Sequence, residues 1–274
     1  MQNAGIAALG LNWRYLAFDV HPDNLGEAIA GAKAMGFIGL NLTVPHKILA
    51  VPMVDLLDES ARAWGAVNTI RFETKDEAGS WRPLALSSQT NEIRSQGFNT
   101  DAEAITRSLR EELGLSVANR KVLLLGAGGA GRATALKLGS EGVSDLFLVN
   151  RTVKKAEALA LEIKQRFPRV KATVGYPTGS VDLLLNATSL GLKPEDELPW
   201  NEAAFPLNRA GAVFDLIYCP AETPLLKRAR AAGCRVANGL GMLLYQGAKA
   251  LEIWSGQPAP LHEMRAALEK AVYV

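Results

Sequence analysis

Three glycines, Gly126, Gly128 and Gly131, stand at G-x-G-x-x-G spacing in the run Lys121 to Gly131, KVLLLGAGGAG. Glycines so placed serve phosphate binding. Gly126 supplies a backbone conformation closed to other residues, Gly128 lets the main chain approach a pyrophosphate, and Gly131 allows a helix to pack close on a strand, with Gly129 and Ala130 completing the turn. The phosphates would rest on the free amides and the positive end of the helix that follows. Asp145 to Asn150, DLFLVN, reads as a second strand and closes a strand-helix-strand unit of about 30 residues, the context this motif requires.

The end of that second strand selects the cofactor. An NAD site usually carries an Asp or Glu there, which accepts a hydrogen bond from the ribose hydroxyl and repels a 2'-phosphate. This chain has Asn150, Arg151 and Thr152, with Lys154 and Lys155 close behind. A thousandfold preference needs about 4 kcal/mol, and two charge-assisted hydrogen bonds of roughly 1.5–3 kcal/mol each supply it. The expected cofactor is therefore NADP, although Lys154 and Lys155 also fit the solvated face of a helix.

A nicotinamide cofactor implies hydride transfer to or from a carbonyl carbon, a reaction that needs a proton donor for the developing alkoxide. Lys47 ends a loop after a buried strand, beside the polar Asn41 and Thr43, and Asp101 follows Asn99 and Thr100 at a loop-to-helix entry. Brought together, the two would form an ion pair that holds the ammonium against a substrate oxygen. Asn68 lies in a run of apolar residues that reads as a strand. From residue types alone, a solvated Lys47, Asp101 as a helix cap and Asn68 as a turn residue fit at least as well.

The elements that must position these residues alternate. Asn3 to Leu9 is helix-like, Trp13 to Phe18 alternates as a strand, and Asn24 to Met35 is an Ala-rich helix with Asp23 as its cap. Gly39 to Leu42 is a short strand running into Thr43 to Lys47, where Pro45 opens the next helix. Asp55 to Trp64 reads as helix and Val67 to Phe72 as strand, so the front sheet is expected to be mainly parallel. Residues 73–98 break the rhythm and read as an extended hairpin or flexible excursion, with a candidate strand at Trp81 to Leu86. After the helix Asp101 to Leu113, strands at 121–125, 145–150, 171–174, 181–186, 213–216 and 235–237 alternate with helices at 132–140, 154–167 and 225–232.

The fold class is thus α/β in two domains: a substrate domain of residues 1–102 and 239–274, and a doubly wound Rossmann-type NADP domain of residues 103–238. Two final helices, Met242 to Ser255 and Leu261 to Val272, would pack back on the N-terminal domain and leave a cleft between the two.

With 274 residues, 48% hydrophobic and 21% charged, the chain can bury a sizeable core. Neither a basic stripe interleaved with aromatics nor an apolar run of membrane length is present, and MQNAGIAALG lacks the features of an export signal. The expectation is a cytoplasmic protein, monomer or homodimer, with no nucleic-acid or membrane partner. Cys219 and Cys234 read as reduced, packed thiols, and His21, His46 and His262 show no ligand spacing, so no metal is expected.

Seven motifs together resemble the shikimate dehydrogenase family: Asn41 to Lys47, Gly65 to Thr69, Asn99 to Asp101, Gly126 to Gly131, Asn150 to Thr152, Asn186 to Ser189 and Gly239 to Gln246. They cover nearly the whole chain in the family's order. The resemblance implies NADP-dependent reduction of 3-dehydroshikimate, a cyclic hydroxy-acid substrate class, with Lys47 and Asp101 as the catalytic pair. It implies that Thr43, Asn68 and Gln246 bind the ring hydroxyls, with Tyr218 near the substrate. Asn150, Arg151 and Thr152 would hold the 2'-phosphate, Thr188 and Ser189 would sit by the cofactor, and Gly239 and Met242 would lie under the nicotinamide, Met242 being equally at home in a core.

Two departures from the family pattern carry expectations. Family members open with a strand and a loop holding two serines in S-x-S spacing for the substrate carboxylate, whereas this chain begins at Met1-Gln2-Asn3, inside the helix that follows, and its first serine is Ser60. Two charge-assisted hydrogen bonds amount to roughly 3–6 kcal/mol, or about 10²–10⁴ in affinity. The expectation is an intact cofactor site with weak turnover, and a segment 73–98 that fills the strand position or lies over the cleft. Ala102 replaces a usual Gly without functional consequence. The alternatives are a dehydrogenase of quinate or another cyclic hydroxy acid, NAD-dependent forms included, and a cofactor-binding protein without catalysis. The nucleotide domain of glutamyl-tRNA reductase is disfavoured, because the first 200 residues hold no Cys nucleophile and no basic RNA-binding face is visible.

Overall fold

The computed structural model describes residues 1–86 and 92–273, so residues 87–91 of the 73–98 stretch lie outside the described residues. The chain forms two compact units: Met1–Asp101 with Gln246–Lys270, and Ala102–Tyr245 with Ala271–Val274.

In the first unit the elements are α1 (Gln2–Ala8), α2 (Leu25–Ala34), β1 (Gly39–Asn41), α3 (His46–Leu49), β2 (Leu56–Leu57), α4 (Glu59–Trp64), β3 (Thr69–Lys75), β4 (Trp81–Pro83) and β5 (Ile93–Phe98). The sheet runs β1-β3-β5-β2, with β4 also on β3. Its core gathers Leu25 and Ile29 of α2, Ala61 of α4 and the inward side chains Ile70 and Phe72 of β3, an alternation that buries one face of the strand. At Gly39 a Cβ would overlap the Trp254 indole and the Ile70 carbonyl. That close approach lets Trp254 Nε1 donate to Ile70 O at 2.9 Å.

Several expectations are corrected here. The front sheet is not mainly parallel: β1, β4 and β5 all run antiparallel to β3, and only β2 runs parallel to β5. For β4 the cause is the turn Asp76 to Ser80, a hairpin where a helical crossover would have been needed for a parallel neighbour. Of the two readings of 73–98, the hairpin holds for its first part and the flexible excursion does not: residues 73–75 extend β3 and pair with β4 across the turn Asp76 to Ser80, and 93–98 form a strand between β3 and β2. Of the candidate strand 81–86, only Trp81–Pro83 is strand, and Leu84–Leu86 turn into a short 3-10 helix.

Trp13 to Phe18 forms no strand. A strand exists only where a neighbour takes up its amide and carbonyl groups; here the Asn3 side chain does that for one residue, accepting from Tyr15 N at 2.8 Å and donating to Tyr15 O at 3.0 Å. The expected helix 55–64 starts only at Glu59, behind Asp58, whose carboxylate accepts from Ser60 N. Asp23 is not a cap either; it lies within a 3-10 turn capped by His21.

The second unit begins as α5 (Asp101–Leu113) leaves the first. It continues as β6 (Lys121–Leu125), α6 (Gly129–Ser140), β7 (Asp145–Val149), α7 (Val153–Arg166), β8 (Lys171–Val174), β9 (Val181–Asn186), β10 (Ala210–Asp215), α8 (Pro224–Ala231) and β11 (Arg235–Asn238). The next helix, α9 (Leu240–Ser255), passes back into the first unit at Gln246, and most of α10 (Leu261–Tyr273) belongs there too. Six parallel strands lie in the order β11-β10-β9-β6-β7-β8. This is the doubly wound order, with the reversal between β6 and β9. Val122 to Leu125 and Leu183 to Leu185 are fully buried, as strands covered on both faces must be. Cys234 is buried as expected, whereas Cys219 is exposed in the loop after β10, not packed.

Candidate active site

In a doubly wound sheet, ligands bind beyond the carboxyl ends of the strands at the reversal point. Here those ends carry Gly126 after β6, Asn150 after β7, Thr188 after β9, Tyr218 after β10 and Gly239 after β11. Gly126 has φ +102°, and a Cβ there would lie 2.9 Å from Ala187 O, so the turns after β6 and β9 are in direct contact. At Gly131 a Cβ would overlap the Gly126 carbonyl, which is the close packing of helix on strand. Gly128 and Gly129 face open space at the start of α6. Exposed amides at a helix start, with no side chain in front of them, fit a dinucleotide pyrophosphate.

Side chains fix this loop from both flanks. Asn150 accepts from Ala127 N at 2.9 Å and donates to Thr152 O at 2.9 Å, joining the glycine turn to the 150–152 turn. Arg151, Thr152 and Lys154 are exposed, and among the described residues Arg151 and Lys154 form no ion pair, so their charge is available to a phosphate. On the other flank Asn186 Oδ1 accepts from Thr188 N and Thr188 Oγ1, and Asn186 Nδ2 donates to Asp215 at 2.9 Å. Asp215 is fully buried and also accepts from Ile217 N and Thr223 Oγ1. Burial pushes its carboxyl up to about 6, against the lowering effect of those donors. Ser189 and Tyr218 are exposed, Met242 is half-buried in α9, and a Cβ on Gly239 would overlap the Leu216 carbonyl.

In the first unit three loops converge. Leu42 N donates to Asn68 O, Val67 N to Lys47 O and Asn68 N to Phe98 O, at 2.7–3.0 Å. That backbone frame brings Lys47 Nζ to 2.7 Å from Asp101 Oδ2, both side chains about a quarter exposed. Asp101 opens α5 and its own N–H goes to Asn99 Oδ1. Asn68 precedes β3 rather than lying within it, is 1% exposed, and accepts from Thr100 N at 2.9 Å through Oδ1 while its Nδ2 donates to Thr100 Oγ1 at 2.9 Å. The pair and Asn68 are thus neighbours in one frame. Thr43 is exposed just before α3, and Gln246 sits half-buried in α9 among the residues of this unit.

Family models match three stretches of the chain: a shikimate dehydrogenase substrate binding domain over residues 1–70, shikimate / quinate 5-dehydrogenase over 108–189, and a shikimate 5'-dehydrogenase C-terminal domain over 239–269. Shikimate dehydrogenase (NADP(+)) of Methanopyrus kandleri is 40% identical over 275 residues, covering 98% of this chain and 89% of that protein. The chain belongs to the shikimate dehydrogenase family. Among solved members, shikimate 5-dehydrogenase of Thermus thermophilus, in complex with NADP(H) and shikimate, is 33% identical with a TM-score of 0.79, covering 98% of this chain and 92% of that one. Ligand-free 5-ketofructose reductase of Gluconobacter sp. strain CHM43 is 34% identical with a TM-score of 0.80, covering 98% and 92%. The resemblance read from the seven motifs is borne out, and with it the α/β fold that carries a Rossmann-type unit.

For a shikimate dehydrogenase family member, the motif reading gave no role to Thr100, Thr69, Asn186 or Asp215. Each is a buried polar side chain whose partner comes from another stretch of chain. Polar residues at apolar positions were the available signal, since a buried polar group must be paired.

Proposed function

We propose that the protein catalyses NADP-dependent reduction of 3-dehydroshikimate to shikimate, in the cytoplasm, as a step of aromatic amino acid biosynthesis. The observation that carries this reading is the 2.7 Å pair of Lys47 and Asp101 beside Asn68, in a family that includes NADP-dependent shikimate dehydrogenases. NADPH supplies the hydride. Lys47, held by the Asp101 carboxylate, gives its proton to the substrate oxygen as negative charge gathers there. Asn68 keeps one amide hydrogen uncommitted among the described residues and offers it to a ring hydroxyl, with Thr43 and Gln246 as the other hydroxyl ligands. Tyr218 is assigned to the substrate.

Gly126, Gly128, Gly129, Ala130 and Gly131 cradle the pyrophosphate. Arg151, Thr152 and Lys154 hold the 2'-phosphate, with Asn150 bracing their turn against the glycine loop. Thr188, Ser189, Gly239 and Met242 are assigned to the nicotinamide side. Purified protein assayed with shikimate and quinate, each with NADP and NAD, tests the reading. Turnover of shikimate with NADP, at a kcat/KM well above the other three combinations, is expected; turnover of quinate alone, or of neither acid, overturns it. The similarity to 5-ketofructose reductase makes 5-ketofructose with NADPH the fifth combination to run.

A further inference from the structure

A continuous, directional line of hydrogen bonds enters the Lys47 site from a residue with no place in it. Tyr15 Oη donates to Asn41 Oδ1 at 3.1 Å. Both hydrogens of Asn41 Nδ2 are then spent, one on Asn68 O at 3.2 Å and one on Thr69 Oγ1 at 3.0 Å. Thr69 Oγ1, having accepted from Asn41, turns its own hydrogen to Asn68 Oδ1 at 3.1 Å. Asn68 Oδ1 also takes Thr100 N, and Asn68 Nδ2 gives one hydrogen to Thr100 Oγ1.

The polarity of this line matters more than its length. An amide has a donor end and an acceptor end, and two partners fix Asn41: the Asn68 carbonyl, which can only accept, takes its NH2 toward β3, and the Tyr15 hydroxyl donates to the oxygen left facing outward. If Asn41 reversed, its oxygen would face the Asn68 carbonyl, and Thr69 would lose the donor that orients its hydroxyl. Tyr15 is suited to the task. Burial raises its phenol above the ordinary value, so it stays a donor, its backbone is clamped at both amide groups by Asn3, and its ring lies 6.3 Å from that of Trp254.

We infer that Tyr15 is a positioning residue for substrate binding, acting through Asn41 and Thr69 to hold the amide of Asn68 with one hydrogen directed at a substrate hydroxyl. The inference rests on the proposed role of Asn68. A lost relay weakens the ground state and the transition state alike, which raises KM and leaves kcat in place.

The test is steady-state kinetics of the full chain with shikimate and NADP. Tyr15→Phe is expected to raise KM for shikimate about fivefold, the worth of one ordinary hydrogen bond, with kcat and KM for NADP unchanged. Thr69→Val is expected to do the same, and the double variant to match the larger single effect, because both cut one line. Thr69→Ser, which keeps the hydroxyl, restores the parent KM and carries the test if Tyr15→Phe does not fold. An unchanged KM in Tyr15→Phe, or effects that multiply in the double variant, overturns the relay. Asn68→Ala separates the two levels: if it leaves KM for shikimate unchanged, the role of Asn68 itself fails, and if it raises KM while Tyr15→Phe does not, only the relay fails.

Discussion

Lys47 and Asp101 stand 54 positions apart in the chain and meet at 2.7 Å, in a frame of backbone hydrogen bonds that ties residues 42, 47, 67, 68 and 98 together. The main chain places the root of the lysine, and the Asp101 carboxylate holds the ammonium at the end of its stem. Lys47→Ala is expected to lower kcat for shikimate oxidation by about 10²–10⁴-fold, the usual worth of a positioned proton donor. Binding of NADP, measured by titration calorimetry, should be unchanged.

The glycine turn divides its residues between folding and binding. At Gly131 an added methyl group meets the Gly126 carbonyl, so Gly131→Ala should destabilise the protein by about 1–3 kcal/mol. Gly128 faces open space, and Gly128→Ala should leave urea unfolding within about 0.5 kcal/mol of the parent while weakening NADP binding tenfold or more. Equal effects of the two variants on stability would contradict this division.

On the proposed reading, cofactor preference rests on charge at positions 151–154 and on the absence of an acid at the end of β7. Arg151→Ala removes one charge-assisted contact of roughly 1.5–3 kcal/mol. KM for NADP should rise about 10- to 100-fold, with KM for NAD little altered. A parallel rise for both cofactors would place Arg151 away from the 2'-phosphate.

Asp215 makes stability depend on pH in a direction unusual for a carboxylate. Its folded value of about 6 lies above the ordinary 3.8, so between those limits the folded protein holds a proton that the unfolded chain has released. Its contribution is fully present below about pH 4 and is lost as pH rises through 6, about 3 kcal/mol over two pH units. Urea unfolding of the parent and of Asp215→Asn at pH 4, 5, 6 and 7 reads this directly. The parent should lose stability relative to the variant along that series, and parallel curves would refute the assignment.

Much of the second unit was legible because its constraints are local. The glycine spacing is demanded by the backbone of one turn, and Val122 to Leu125 are apolar on both faces because both are covered. The front sheet was misread where a strand's direction depends on its connection: 73–98 looked like an interruption and instead supplies β5. Trp13 to Phe18 has a strand's alternation but no ladder partner, and alternation alone cannot provide one. At the site, Lys47, Asp101 and Asn68 announced themselves through motifs. Tyr15, Asn41 and Thr69 did not, because their meaning lies in hydrogen bonds across 26 to 28 positions, which spacing along the chain does not encode.

The first unit is completed by residues far down the chain. Gln2 donates to Gly247 O, Gly5 packs on Leu251 and Met264, and Trp254 bonds Ile70 O. On the ribosome, where the chain emerges from its amino end, residues 1–101 must wait for 246–270 while every strand of the second unit is already available. Translation order and domain order are thereby inverted: residues 1–101 emerge early but are finished late, and until 246–270 follow they expose the Ile70 carbonyl and the Gly5 and Gly39 faces that those late helices will cover.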